Sequence, residues 1–184
     1  MKLERLTAAN GIVHVGAHDA VVDVRATIGM ARLLRQAQPK LFDYAFKLRD
    51  KKFVASLFDW STHRPLVHTS SRFGSKRLST TLVMPLMQHP TNSNGVLVID
   101  LMQDPEDLLA LSPEEIRQRI FTASRELDEG IERLAIKTVH TNKSPMLAVP
   151  GLLTTDVEAR IGLDKFRCEQ HWERLKKALP TLQD

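Results

Sequence analysis

Thr80-Thr81-Leu82-Val83-Met84-Pro85-Leu86-Met87-Gln88 and Gly95-Val96-Leu97-Val98-Ile99, with Asn92-Ser93-Asn94 between them, decide the fold of this chain. Both runs are rich in β-branched and aliphatic residues, and the second is almost continuously apolar at its start, the pattern of a central strand covered on both faces. Asn and Gly at the join are turn formers, so the pair reads as a hairpin with strands over 80–88 and 95–102. Upstream, residues 65–71 form another short strand-like run. Downstream, Leu134, Ile136 and Thr138 alternate with Ala135, Lys137 and Val139 up to His140, and Met146 to Val149 extends the sheet. Between them Ser112-Pro113-Glu114-Glu115 opens a helix with a capping serine, proline at the first helical position and a glutamate that closes a capping box. Ile116, Ile120 and Phe121 form its apolar face, and residues 155–178 return to helix. Several short strands interrupted by helices predict an α+β chain and suit a small barrel with insertions, though the periodicity itself shows only strands.

The first forty residues are helical. Leu3 to Ala9 ends in Asn10-Gly11, a helix C-terminal signal. Asp19 caps a second helix whose apolar positions Val24, Ile28, Ala31 and Leu34 follow helical spacing and are expected to be its buried face. Pro39 stops that helix. A further helical passage from Leu41 to about Phe58 is broken by the charged turn at Asp50-Lys51-Lys52, which reads as an ordinary solvated turn.

At 184 residues the chain can bury about two thirds of its unfolded surface. Its single cysteine, Cys168, excludes an internal disulfide and any multi-cysteine zinc site, and reads as a helix residue without chemistry. No run approaches the roughly twenty apolar residues of a membrane span, and Met1-Lys2-Leu3-Glu4-Arg5 lacks the apolar core of a secretory signal. The expectation is a cytoplasmic protein with no membrane partner. Net charge is +4, but unevenly spread: residues 32–77 hold eleven Lys or Arg against three Asp, and residues 100–133 hold ten acids against four Arg. A basic segment of this kind suits a phosphate-bearing partner, since each neutralised phosphate releases counterions. Its best candidate is Ser70-Ser71-Arg72-Phe73-Gly74-Ser75-Lys76-Arg77. There Arg72, Lys76 and Arg77 would neutralise a single-stranded backbone, and Phe73 is either a stacking face for a base or a buried hydrophobe under the loop.

His18 stands five residues before Asp23, at the start of the second helix. A two-metal phosphodiesterase needs carboxylates to hold divalent cations and a neutral imidazole to take a proton from water, and this pair offers one of each. His14 and His18 are separated by Gly16 before the helix begins, which argues against a helical two-histidine zinc site. His14 reads as structural, and His140, a polar residue at a strand end, is not assigned a catalytic role.

The sequence from Leu3 through Pro145 resembles bacterial exodeoxyribonuclease I, of the DEDDh 3'-to-5' exonuclease family. The resemblance rests on His18, Ala20 and Asp23 filling the pattern His-x-Ala-x-x-Asp, and on ordered short matches at Gln38-Pro39-Lys40-Leu41-Phe42-Asp43-Tyr44, Pro65-Leu66-Val67-His68, Phe73-Gly74, Pro85-Leu86, His89-Pro90, Val139-His140, Asn142-Lys143 and Pro145. It implies that residues 1–38 are the C-terminal helical remnant of a ribonuclease H-like exonuclease domain and that residues 39–180 are an SH3-like β-barrel with helical insertions. It further implies magnesium-dependent 3'-to-5' hydrolysis of single-stranded DNA to nucleoside monophosphates, in DNA repair and recombination, with His18 as the general base and Asp23 as one ligand of a two-Mg2+ site. The other three acids of that site precede the matching segment in the family, so the chain by itself is expected to be inactive. A non-catalytic single-stranded DNA-binding or partner-binding module is the alternative. Tyr44 and Lys176 match positions where the family receives the acidic tail of single-stranded DNA-binding protein, but the polar and basic partners of that surface are missing around Val149 and Thr154.

Overall fold

The computed structural model describes residues 2–14, 16, 19–122, 126–127 and 134–182. They divide into two compact units, Met1–Lys47 and Leu48–Asp184. The sequence reading divides the chain at residue 38; the structure keeps the helix that follows with the first unit.

In the first unit α1 spans Leu3–Ala9, α2 Ala20–Ala37 and α3 Pro39–Lys47. The Asn10 side-chain amide donates to the Leu6 carbonyl at 2.8 Å, and Gly11 takes the positive φ of 65° that turns the chain out of α1. Asp19 caps α2, its carboxylate accepting from the Val21 and Val22 amides at 2.9 and 3.2 Å. The chain before the cap folds back on α2, with the Ile12 side chain against Gly29, where an added Cβ would meet Ile12 Cγ2 at 3.0 Å. Asp23, Ala26 and Gly29 share that side of the helix by three-residue spacing, and Ala26 is fully buried. The expected apolar stripe is therefore corrected: Val24, Ile28 and Leu34 remain 58%, 46% and 50% exposed. Periodicity selects the face with the largest side chains, whereas close approach of another backbone selects the face with the smallest.

In the second unit α4 (Lys51–Ser56) is capped by Asp50, which accepts from the Lys52 amide at 2.8 Å. Five antiparallel strands follow: β1 Leu66–Thr69, β2 Thr80–Gln88, β3 Gly95–Asp100, β4 Ile136–His140 and β5 Met146–Ala148, in the spatial order β4-β3-β2-β1-β5. The register places Leu66 opposite Val83, His68 opposite both Thr81 and Leu147, Val83 opposite Asp100, Val98 opposite Lys137 and Val96 opposite Val139. Cross-strand partners point to one side, so these residues form one face of the sheet. That face is concave. Lys137 Nζ on β4 lies 2.6 Å from His68 Nε2 on β1, although in a flat sheet strands three places apart would stand about 14 Å from each other. The sheet curls into a partial barrel around this face. Pro85 cannot donate to the ladder and marks a bulge where register shifts between Pro85 and Met87; its carbonyl accepts from His63 Nδ1 at 2.8 Å.

The outer face, with Leu82, Met84, Ile99 and Leu101, packs against Ile161, Leu163, Cys168, Leu175 and Leu179. These come from α7 (Thr155–Ile161), α8 (Lys165–Leu182) and the join between them, while α5 (Glu106–Ala110) and α6 (Pro113–Phe121) precede β4. The sequence reading of one helix over 155–178 is corrected, because Gly162 adopts φ 62° and ends α7. Ser112 and Glu115 form the expected capping box. His171 Nδ1 donates to the Leu101 carbonyl at 2.8 Å and Trp172 Nε1 donates to the His63 carbonyl at 3.0 Å, so α8 is fastened to the sheet by directed bonds as well as by apolar contact.

Candidate nucleic-acid interface

In the first unit the site is built around Asp23, in the first turn of α2. His14, carried back along α2 by the chain reversal, places Nε2 2.6 Å from Asp23 Oδ1, and its Nδ1 lies 3.3 Å from the Thr7 hydroxyl. That hydroxyl donates in turn to the α1 carbonyls, with Glu4 at 2.9 Å. Facing a carboxylate, Nε2 carries the proton. The His14 side chain is 5% exposed and that of Asp23 43%, so a buried imidazole holds one oxygen of a half-exposed carboxylate. Sequence reasoning gave His14 a structural role, and the contact with Asp23 is what it did not foresee. Its only sequence signal is the flanking of residues 12–14 by Gly11 and Gly16, both at positive φ, which lets the segment reverse onto the helix. His18 lies outside the described residues.

In the second unit an open cleft of about 690 Å³ runs beside β4, lined among others by Arg72, Phe73, Arg77, Asp100, Lys137 and His140. Ser70 caps the short 3-10 turn Ser71–Phe73 by accepting from the Arg72 amide. That turn aims Phe73 inward and leaves Arg72 exposed. The Phe73 ring is buried, edge-on to His68 with centroids 5.5 Å apart, and Lys137 Nζ stands 5.4 Å from its centre. Of the two sequence readings of Phe73, the geometry matches the buried one. Arg77 turns into the barrel and forms a two-point pair with Asp100, Nη2 to Oδ2 at 2.8 Å and Nη1 to Oδ1 at 3.3 Å, while the Thr81 hydroxyl donates to the same Oδ1 at 2.6 Å. With that carboxylate only 5% exposed, Arg77 is an internal counter-charge. Lys76 stays exposed on the following turn. There Leu78 and Ser79 hold consecutive positive φ values of 47° and 57°, a strained conformation of the sort that persists where a loop is shaped for a task.

The second residue that sequence reading passed over is Lys137. That it shares a strand face with buried Val139 was legible, but not that a lysine on that face would meet His68 across the barrel. His68 Nδ1 donates to the Met146 carbonyl at 2.8 Å, which leaves Nε2 as the acceptor for the Lys137 ammonium. Burial pushes His68 down to about 4, the Met146 carbonyl opposing and the Lys137 charge adding to the fall. Burial, then the Arg72 guanidinium, holds Lys137 below the usual lysine range. His140 is lowered by burial, then by its neighbours Lys143, His89 and Lys137.

Tyr44 sits half-buried on α3, its hydroxyl pushed up by burial. Lys176 lies on α8, donating to Glu173 at 2.8 Å with Nζ 4.7 Å over the Trp172 ring. The two belong to different units. Cys168 is buried in α8, and burial, then the Asp100 and Asp164 carboxylates, pushes its thiol up to about 12; such a thiol is inert at neutral pH. Among the described residues no group of three or more His, Cys, Asp or Glu is placed to hold a metal ion, and no helix is long and apolar enough to cross a membrane.

A five-stranded antiparallel sheet curled until its first and fourth strands touch, with helices over its outer face and cations at its mouth, defines a small SH3-like barrel domain. The chain belongs to the exonuclease I SH3-like domain family, whose model matches residues 49–184. It is 44% identical over 176 residues to exodeoxyribonuclease I of Haemophilus influenzae, an alignment that takes in 95% of this chain and 37% of that protein. Its structure is similar to that of exonuclease I from Methylocaldum szegediense, with TM-score 0.91, 44% identity, and 99% of this chain and 39% of that one covered. It is also similar to the zinc ion bound form of the Escherichia coli exonuclease I complex with single-stranded DNA, with TM-score 0.90, 40% identity, and 99% and 39% covered. The chain thus spans a little over a third of the length of the relatives it matches.

Proposed function

We propose that this chain is the part of an exodeoxyribonuclease I that holds the substrate strand. The whole protein would hydrolyse single-stranded DNA from the 3' end to nucleoside monophosphates in cytoplasmic DNA repair and recombination. The observation that carries the reading is the cation-lined cleft at the mouth of the barrel, in a chain of this family whose structural relatives include a complex with single-stranded DNA. In this reading residues 1–38 are the helical end of a ribonuclease H-like nuclease domain and residues 39–180 an SH3-like domain. Arg72 and Lys76 face the strand's phosphates, while Phe73 and Arg77 support them from beneath.

Asp23 is the proposed ligand for magnesium, an ion that prefers carboxylate oxygen. A half-exposed carboxylate with one oxygen held by His14 fits that task, because an outer imidazole fixes the orientation of a ligating group. When bound, a pair of such cations would activate water and stabilise the departing oxygen; His18 would accept the water's proton. One acid does not make a two-cation site, so the 184-residue chain alone is inactive in this reading. Tyr44 and Lys176 are proposed contacts for the acidic tail of single-stranded DNA-binding protein, which would have to displace Glu173 from Lys176.

A 5'-labelled single-stranded oligonucleotide incubated with magnesium is expected to stay intact with both the parent chain and Asp23→Asn. It should nevertheless bind the parent, with an affinity that falls steeply as salt rises. A ladder shortening from the 3' end that disappears in Asp23→Asn would overturn the expected inactivity.

A further inference from the structure

We propose that Lys137 and Arg72 form a phosphodiester-binding subsite at the barrel mouth, in which His68 is a positioning residue that aims the Lys137 ammonium at the strand. The inference rests on the single-stranded DNA reading above and names within it one phosphate contact and the residues that shape it.

Lys137 stands on the concave face of β4, a face that holds His68, Thr81 and Asp100 among the apolar Leu66, Val83, Val96, Val98, Val139 and Leu147. A lysine in that setting is costly unless its ammonium is held and has use for its remaining hydrogens. Two of its surroundings are fixed: it donates to His68 Nε2 at 2.6 Å and stands 5.4 Å from the centre of the Phe73 ring. His68 can serve as acceptor only because its other nitrogen is committed to the Met146 carbonyl, and the Phe73 ring lies edge-on against it. Neither neighbour neutralises the ammonium. The cations acting on this corner are Arg72, on Lys137, and Lys143 and Lys137, on His140. The cleft's acid, Asp100, is committed to Arg77 and Thr81. Arg72 and Lys137 both line the cleft, and loops with strained non-glycine residues border it, Leu78 and Ser79 on one side and Ser144, φ 45°, beside the smaller neighbouring hollow that Lys137 shares with Lys143. Among the described residues Arg72 and Lys137 thus share an open cleft whose acid is already paired with Arg77, and two cations so placed call for an anion. A strand's phosphodiester, reached from the side by an exposed guanidinium and from beneath by a half-buried ammonium, supplies it.

The test is fluorescence anisotropy of a labelled oligothymidylate titrated with the whole chain over a series of NaCl concentrations. Lys137→Gln is expected to weaken binding on the order of fivefold at moderate salt and to lower the slope of log affinity against log salt by about 0.7, the value for one phosphate of a single strand. Arg72→Gln should act alike and Lys137→Arg should restore the slope, whereas the exposed Lys177→Gln should change neither. His68→Leu should lose affinity while keeping the parent slope, since the charge remains and only its aim is lost. Arg72 is exposed, so its variant decides the question even if Lys137→Gln fails to fold. A parent that binds with affinity and slope unchanged in Arg72→Gln and Lys137→Gln overturns the subsite and leaves the DNA reading standing; a parent that does not bind overturns both. An acidic peptide that displaces the oligonucleotide from the parent but not from Lys137→Gln would assign the subsite to a protein partner and overturn it as well.

Discussion

His68 shows how one side chain links stability to acidity. In the unfolded chain its imidazole titrates near 6.5, but in the fold burial holds it down to about 4. Protonation would also set two cations 2.6 Å apart, because Nε2 could no longer accept from Lys137. The unfolded state therefore binds the proton first. The stabilisation is whole above about pH 6.5 and is lost as pH falls toward 4, by up to roughly 3 kcal/mol for this residue. Urea midpoints measured for the parent and for His68→Gln, which keeps a neutral hydrogen-bonding side chain, should converge as pH is lowered through that window; curves that stay parallel would remove His68 as the cause. Residues of this kind were the least legible in the sequence. His14 and Asp23 are nine positions apart and His68 and Lys137 sixty-nine, and a pairing made by a chain reversal or a curled sheet leaves no local pattern.

Elements were far more legible, because the groups that start and stop them lie within a few residues. Asp19 and Ser112 each cap the helix that the sequence reading assigned them, the run Thr80 to Gln88 is β2 to the residue, and Asp50, read only as part of a helix-breaking turn, caps α4. Errors arose in two ways. The exposed stripe of α2 is a tertiary result, set by small residues that admit the returning chain, whereas the break at Gly162 is a local left-handed cap that the sequence reading passed over. Gly95 marks the tightest approach within the sheet: an added Cβ would lie 2.7 Å from His89 Cβ and 3.0 Å from Thr138 Cγ2. Gly95→Ala should therefore cost about 1 to 3 kcal/mol through overpacking, read as a lower denaturation midpoint. Gly151→Ala, where the added methyl meets open space, should stay within about 0.5 kcal/mol of the parent.

At the scale of the whole molecule, Val24, Ile28 and Leu34 give the first unit an apolar stripe that the described residues leave exposed. Uncovered stripes of this type drive self-association, so sedimentation velocity of the 184-residue chain should show oligomers that grow with concentration. The substitutions Ile28→Gln and Leu34→Gln together should shift it toward monomer, and an unchanged distribution would place the association elsewhere. The short strands of the second unit were legible in the pattern and suited a small barrel, which the family resemblance implied, but the closure of β4 toward β1 was not. That closure bears on the order in which the barrel assembles. The ladders from β1 through β4 join strands in sequence order, whereas the His68 bond to Met146 on β5 spans 78 positions. The meander can form from nearer contacts, while the three residues of β5 dock only after a long stretch of chain, α5 and α6 included, has been gathered in. Docking of β5 is then a late event, and the Met146 carbonyl that turns His68 Nε2 toward Lys137 arrives only with that last strand.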